Sequence, residues 1–155
     1  MRLLHTSDWH LGQSFMGKTR LAEHQAFLAW LLAQVRAHAV DAVVVAGDIF
    51  DTGTPPSYAR ELYNSFVSDM HDSGARLVVL GGNHDSVATL GESRTVFSKL
   101  GAHVVPGVTA VLEDQVIVLP GRNGEPAALL CAIPFVRARE VVVSEGGQSA
   151  EDKQQ

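Results

Sequence analysis

Three short stretches hold the residues that could do chemistry: Asp8-Trp9-His10, Gly47-Asp48-Ile49-Phe50-Asp51 and Gly81-Gly82-Asn83-His84-Asp85. Together they offer carboxylate, imidazole and amide oxygen, the donors that manganese and magnesium accept. A structural zinc site draws mainly on thiolates, and the chain has a single cysteine, Cys131. Asp8 and His10 can chelate one divalent ion if the chain leaves its strand after Ser7. Asp48 has two oxygens with which to bridge two ions, and the side-chain oxygen of Asn83 can serve the second. Two ions about 3.5 to 4 Å apart clamp the attacking and leaving oxygens of a phosphate ester and acidify a bound water, so phosphoester hydrolysis is the natural reaction. With Asn83 already a ligand, the imidazole of His84 is available to face substrate, stabilising phosphoryl oxygens or protonating the leaving alkoxide. Asp51 is the expected holder of the other ring nitrogen of His84, fixing its tautomer.

Such a site needs the three stretches side by side, and the pattern of the chain provides for it. Short β-type runs alternate with helical patterns, the signature of a mostly parallel sheet covered by helices. Strands are expected at 2–6, 41–46, 77–80 and 103–105, and each candidate stretch follows one of the first three, at the end where open α/β sheets place their ligands. Leu21, Phe27, Leu28, Leu31, Leu32 and Val35 recur mostly at spacings of three and four, predicting an amphipathic helix over 20–39. A second helix is expected from a Thr54 cap with Pro55 at its first position, running to Gly74. A shorter one covers 92–100. Beyond it, apolar runs at 115–119 and 127–133 flank Arg122-Asn123-Gly124-Glu125, a hairpin signal, and the sheet turns to antiparallel connections. Residues 144–149 read as a loop or linker, and 151–155 as the first turn of a truncated helix.

Composition excludes several classes. The 155 residues are 46% hydrophobic and 19% charged, which argues for an ordered globular chain. No apolar run approaches the ~18 residues of a membrane span, and no signal-peptide core precedes Asp8 and His10, so a cytoplasmic location is expected. A formal net charge of -5 lacks the basic footprint of an autonomous nucleic-acid binder. Cys131, within an apolar run, is expected to pack as a small buried side chain. His5 is expected in the core, and His24, His38, His71 and His103 on surfaces or helix faces. Trp9 is read as packing, Lys18 and Arg20 as solvated, and Asp85 as either a cap or a support for the site.

The runs HTSDWHLGQ, GDIFDTGTPPSYAR and GGNHDSVATL, with CAIPFVRARE later, resemble the calcineurin-like metallophosphoesterases, continuously from residue 1 to about 139. Asp-x-His, Gly-Asp-x-x-Asp and Gly-Asn-His-Asp are weak singly and specific in this order. The resemblance implies an α/β four-layer sandwich of mixed sheets flanked by helices, here its N-terminal part over 1–143, with a site for two divalent cations, manganese ahead of magnesium. It implies Asp8 and His10 on the first ion, Asp48 bridging, Asn83 on the second, and His84 as the catalytic histidine. It also implies an ATP-regulated double-strand DNA exonuclease and hairpin endonuclease serving DNA repair, recombination and replication. The implied partners are DNA, an SMC-like ATPase subunit and a second copy of the full-length chain. Family members complete both coordination spheres with a Gly-His and a later Gly-His-x-His motif. After Asp85 this chain has only His103, preceded by Ala102, so a fragment of a longer protein is expected.

Two other readings stand beside this one. The run GQSFMGKT at 12–19 matches the phosphate-binding pattern G-x-x-x-x-G-K-[ST] between a strand and a helix, which would make the chain a nucleotide binder. Against it, five residues separate the first Gly from the strand, and Phe15 and Met16 are awkward in a phosphate cradle. The other reading is a non-catalytic binding module.

Overall fold

A computed structural model describes residues 1–121 and 123–137. In chain order the elements are β1 (Leu3–Thr6), β2 (Ser14–Phe15), β3 (Lys18–Thr19), α1 (Leu21–Ala37), β4 (Ala42–Ala46), α2 (Ser57–Ser73), β5 (Arg76–Leu80), α3 (Val87–Gly91), α4 (Arg94–Lys99), β6 (Ala102–Val105), a 3₁₀ turn (Leu112–Gln115), β7 (Val116–Pro120) and β8 (Pro126–Cys131). β1, β4, β5 and β6 form one parallel sheet in the order β1-β4-β5-β6. Its unalternated valine and leucine runs are explained by cover on both faces. Val43, Val45, Leu77, Val79 and Val104 pack with the helices, while Ala42, Val44, Val78, Leu80 and Val105 pack with Leu119 and Ala132. The β7–β8 hairpin forms its own two-stranded sheet on that second face, rather than extending the parallel one. Residues 144–155, expected as linker and helix start, lie outside the described residues. No helix among the described residues is long and apolar enough to cross a membrane.

Several elements differ from the sequence expectation, each for a local reason. Proline disfavours helical geometry in the residue before it, so Pro56 excludes Pro55 from the helix; Pro56 becomes the extended N-cap, and α2 begins at Ser57. Its other end is as expected, with Gly74 left-handed at φ 75°. The helix expected over 92–100 is α4, and a further short one, α3, precedes it, capped by Ser86, whose hydroxyl accepts from Thr89 N at 3.3 Å. His5 is exposed, because β1 is an edge strand of the sheet. Cys131 is exposed rather than buried: with Val116, Val118 and Leu129 it lies on the outer face of the hairpin, whose inner face alone meets the core.

The loop after β1 contains a hairpin that propensity does not announce. Residues 12–19 pair as Ser14 with Thr19 and Phe15 with Lys18, turning at Met16 and Gly17, both with positive φ. Their amides bond across a ribbon instead of lining an anion cradle, and α1 starts only at Leu21. The phosphate-loop reading therefore does not hold. Phe15 and Met16 stand 71% and 86% exposed at the hairpin tip.

His24 is buried at 5% exposure, on the same face of α1 as Leu28, Leu31 and Val35. Burial, then the nearby Arg20, lowers its pKa below the ordinary 6.5; burial and Arg94 do the same to His103. The unfolded chain then binds more protons than the folded one just below pH 6.5, so this stabilisation is complete above that pH and lost on acidification. The raised pKa of His84 acts in the opposite sense, so the test is a comparison. Between about pH 7.5 and about pH 5.5, without metal, His24→Gln should lose less melting temperature than the parent chain. Equal losses would refute the assignment.

Candidate metal centre

The loops after β1 and β4 are zipped together. Asp8 N donates to Gly47 O at 3.1 Å, His10 N to Asp48 O at 3.0 Å and Leu11 N to Ile49 O at 2.9 Å, while Asp51 N returns to Leu11 O at 3.1 Å. This pairing turns Asp8, His10 and Asp48 toward one another at a backbone cost. Their φ values are 56°, 46° and 52°, a left-handed conformation that L residues seldom adopt and that concentrates at functional sites.

The third loop closes on Asp48. Gly82 lies so near that a Cβ there would overlap the Asp48 backbone nitrogen and Oδ1, and His84 N donates to that Oδ1 at 3.0 Å. Asp85 fixes the loop from beneath. Buried at 2% exposure, its carboxylate accepts from Ile49 N (3.2 Å), Phe50 N (2.9 Å) and Gly82 N (2.8 Å). Of its two expected roles it has the supporting one, since Ser86 is the cap. Gly82→Ala should therefore displace the Asp48 carboxylate, destabilise the fold by about 1–3 kcal/mol and weaken divalent-ion binding at least about tenfold. Calorimetry beside a thermal melt checks both effects.

The result is a compact donor cluster. Ligating atoms of Asp8, His10 and Asp48 lie within 4.8 Å of one another, and so do those of His10, Asp51 and His84. His10 joins the two groups, with Nε2 4.0 Å from Asp8 Oδ1 and Nδ1 3.4 Å from Asp51 Oδ1. The His10 and His84 rings meet edge to face at 4.9 Å. Two carboxylates and an imidazole converging from strained loops fit a divalent cation of hard or borderline character. Asn83 is exposed between Gly82 and His84, both of which abut Asp48.

Asp51 holds His84 through its backbone. The ring Nδ1 of His84 lies 2.8 Å from the Asp51 backbone carbonyl, which accepts its proton. The carboxylate faces the first loop, receiving Gln13 Nε2 at 3.3 Å and lying near His10. The reason is the Asp51 N to Leu11 O bond, which carries the side chain toward that loop. The contact leaves Nε2 of the exposed His84 directed away from Asp51. It also raises the pKa of the ring, with the Asp48, Asp51 and Asp85 carboxylates adding to the effect. Trp9 is packing, as expected, buried edge-on against Phe27 and Phe66 with its indole N–H on Thr6 Oγ1.

Sequence reasoning misses Gln13, Arg20, His24 and Arg137. Helical spacing with Leu28, Leu31 and Val35 could have placed His24 inside. No spacing rule finds Arg137, whose Nη2 reaches 52 residues back to Asp85 O at 2.7 Å and also approaches Gly82 O at 3.4 Å.

Residues 1–141 match the family of calcineurin-like phosphoesterases. The D subunit of the nuclease SbcCD from Escherichia coli (strain K12) is 56% identical over 155 residues, covering all of this chain and 38% of that protein. The proteins of the same name from Rhodobacter capsulatus and Bacillus subtilis are 39% and 41% identical over 91% and 68% of this chain, and 36% and 27% of their own lengths. The chain thus spans little more than a third of the first of these relatives. With the family match running through all three donor loops, the chain belongs to the calcineurin-like phosphoesterases.

Proposed function

We propose that this chain carries the metal-binding core and catalytic histidine of a DNA nuclease that hydrolyses phosphodiesters. The observation that carries the reading is the convergence of Asp8, His10 and Asp48, all in left-handed backbone, beside an exposed histidine. In it Asp8 and His10 would hold one ion, Asp48 would serve both and Asn83 the second; manganese is the expected metal, with magnesium able to substitute. When bound, such a pair supplies Lewis-acid polarisation of the phosphoryl group and acidification of water. The chain's own residues do the rest. Zipped loops fix the donors, Asp85 and Gly82 set the approach of the third loop, and the Asp51 carbonyl holds His84 in the tautomer that presents Nε2 to substrate.

A nucleic-acid substrate is supported by the names of the relatives, which are nucleases, and the match to the Escherichia coli protein, 56% identical, covers every donor loop. The finer proposal is ATP-regulated double-strand exonuclease and hairpin endonuclease activity in the cytoplasm, in DNA repair, recombination and replication. The full-length chain would act as a homodimer with an SMC-like ATPase subunit, SbcC. The 155 residues alone are expected to bind manganese weakly or partially and to hydrolyse little DNA. Calorimetry and digestion of linear duplex test both parts. Full-length protein with its ATPase partner should degrade DNA ends and stop on chelation; failure to do so overturns the nuclease reading. Two tight manganese sites and robust hydrolysis in the short chain would overturn the proposed division of labour.

A further inference from the structure

We propose that Gln13 and Arg20 are positioning residues for the metal centre, joining the base of the β2–β3 hairpin to the ring of His10 through Asp51. The inference rests on the reading of Asp8, His10 and Asp48 as ligands. Four side chains stand in line. Arg20 Nη1 donates to Gln13 Oε1 at 2.7 Å, Gln13 Nε2 donates to Asp51 Oδ1 at 3.3 Å, and the same Oδ1 lies 3.4 Å from His10 Nδ1. Gln13 and Arg20 bracket the hairpin, whose base is already closed by Arg20 N to Gln13 O at 3.2 Å and Gln13 N to His10 O at 3.0 Å. The side-chain line is thus additional to what the hairpin needs in order to fold.

The chemistry suits an amide at the middle position. A glutamine accepts at one atom and donates at the next, whereas a carboxylate there could not donate to Asp51 and a guanidinium could not accept from Arg20. Arg20 on the amide oxygen polarises the amide and strengthens its N–H as a donor. Asp51, held in this way, faces Nδ1 of a ring that is only partly exposed, which leaves Nε2 on the side of Asp8. Carboxylates behind ligating histidines act in this manner, fixing tautomer and ring angle. Here the carboxylate is itself held from the hairpin.

The test is manganese calorimetry on the full-length protein, beside thermal melting without metal. Gln13→Ala should weaken manganese binding about 3- to 10-fold. Gln13→Glu keeps the acceptor for Arg20 but loses the donor to Asp51, and should lose as much affinity with its metal-free melt little changed. Arg20→Ala should give a smaller loss that Arg20→Lys largely restores. In an Asp51→Asn background, Gln13→Ala should add nothing. A purely structural role predicts the reverse, lowered melting temperatures with manganese affinity within about twofold of the parent, and that result overturns the proposal. A parent protein that binds no manganese overturns the ligand reading itself, and this inference with it.

Discussion

Asp48→Ala is expected to lose metal binding and phosphodiester hydrolysis together. Asp48 lies where the three loops meet: its backbone carbonyl receives His10 N, its Oδ1 receives His84 N, and its carboxylate is grouped with Asp8 and His10. Loss of an outer-sphere partner typically costs 10- to 100-fold in metal affinity or activity. Removal of Asp48, the bridging residue of the proposed site, should therefore cost more than about 100-fold in manganese affinity, and about 1,000-fold or more in hydrolysis. Alanine also tolerates the φ of 52° poorly, adding about 1–2 kcal/mol of backbone strain. Asp48→Asn separates the two effects. Asparagine accepts left-handed geometry and can still receive the His84 N–H, yet brings no charge. It should melt close to the parent and still bind manganese poorly. Calorimetry of both variants in the full-length protein checks this; a tight isotherm for either would remove Asp48 from the ligand set.

The parts of this centre that are legible in the sequence are those in which residue type and strand order decide the outcome. Val43-Val44-Val45 and Leu77-Val78-Val79-Leu80 read as doubly covered strands because neither alternates, and parallel pairing then brings the segments after them to one edge. Asp8, His10, Asp48 and His84 follow from that alone. What local patterning does not supply is the direction of each side chain. Residue type pairs Asp51 with His84 without naming the atom; the zipped first loop turns the carboxylate to Gln13 and leaves the carbonyl for His84. The polar type of His24 suggests solvent, although its spacing places it inside. Arg137 supports the third loop across 52 residues, a closure set by the tertiary path of the chain after β8. The run at 12–19 shows the opposite failure. A motif complete in letters folds as a ribbon, because two paired strands satisfy the amides that a phosphate would need.

His84→Gln should lose hydrolysis while retaining metal, and the choice of substrate decides which of two roles His84 plays. The ring contributes no atom to the Asp8, His10 and Asp48 group, so manganese affinity should stay within about threefold of the parent, well short of the cost of a lost ligand. Its Nδ1 is committed to the Asp51 carbonyl, leaving Nε2 for substrate. Glutamine can donate a hydrogen bond from a similar place but cannot release a proton. If His84 protonates the leaving alkoxide, hydrolysis of DNA should fall about 100- to 10,000-fold. A 4-nitrophenyl phosphodiester, whose leaving group departs without a proton, should then be far less affected. If His84 instead steadies the phosphoryl oxygens, both substrates should lose similarly, and glutamine should recover part of what alanine loses. Without metal the pKa of the ring is raised, first by the Asp51 carbonyl and then by the surrounding carboxylates. A general acid loses its function as pH rises through its pKa, so in the acid role the parent's DNA hydrolysis should acquire an alkaline limb that His84→Gln lacks. Loss of manganese binding in His84→Gln would count against both roles and place His84 among the ligands.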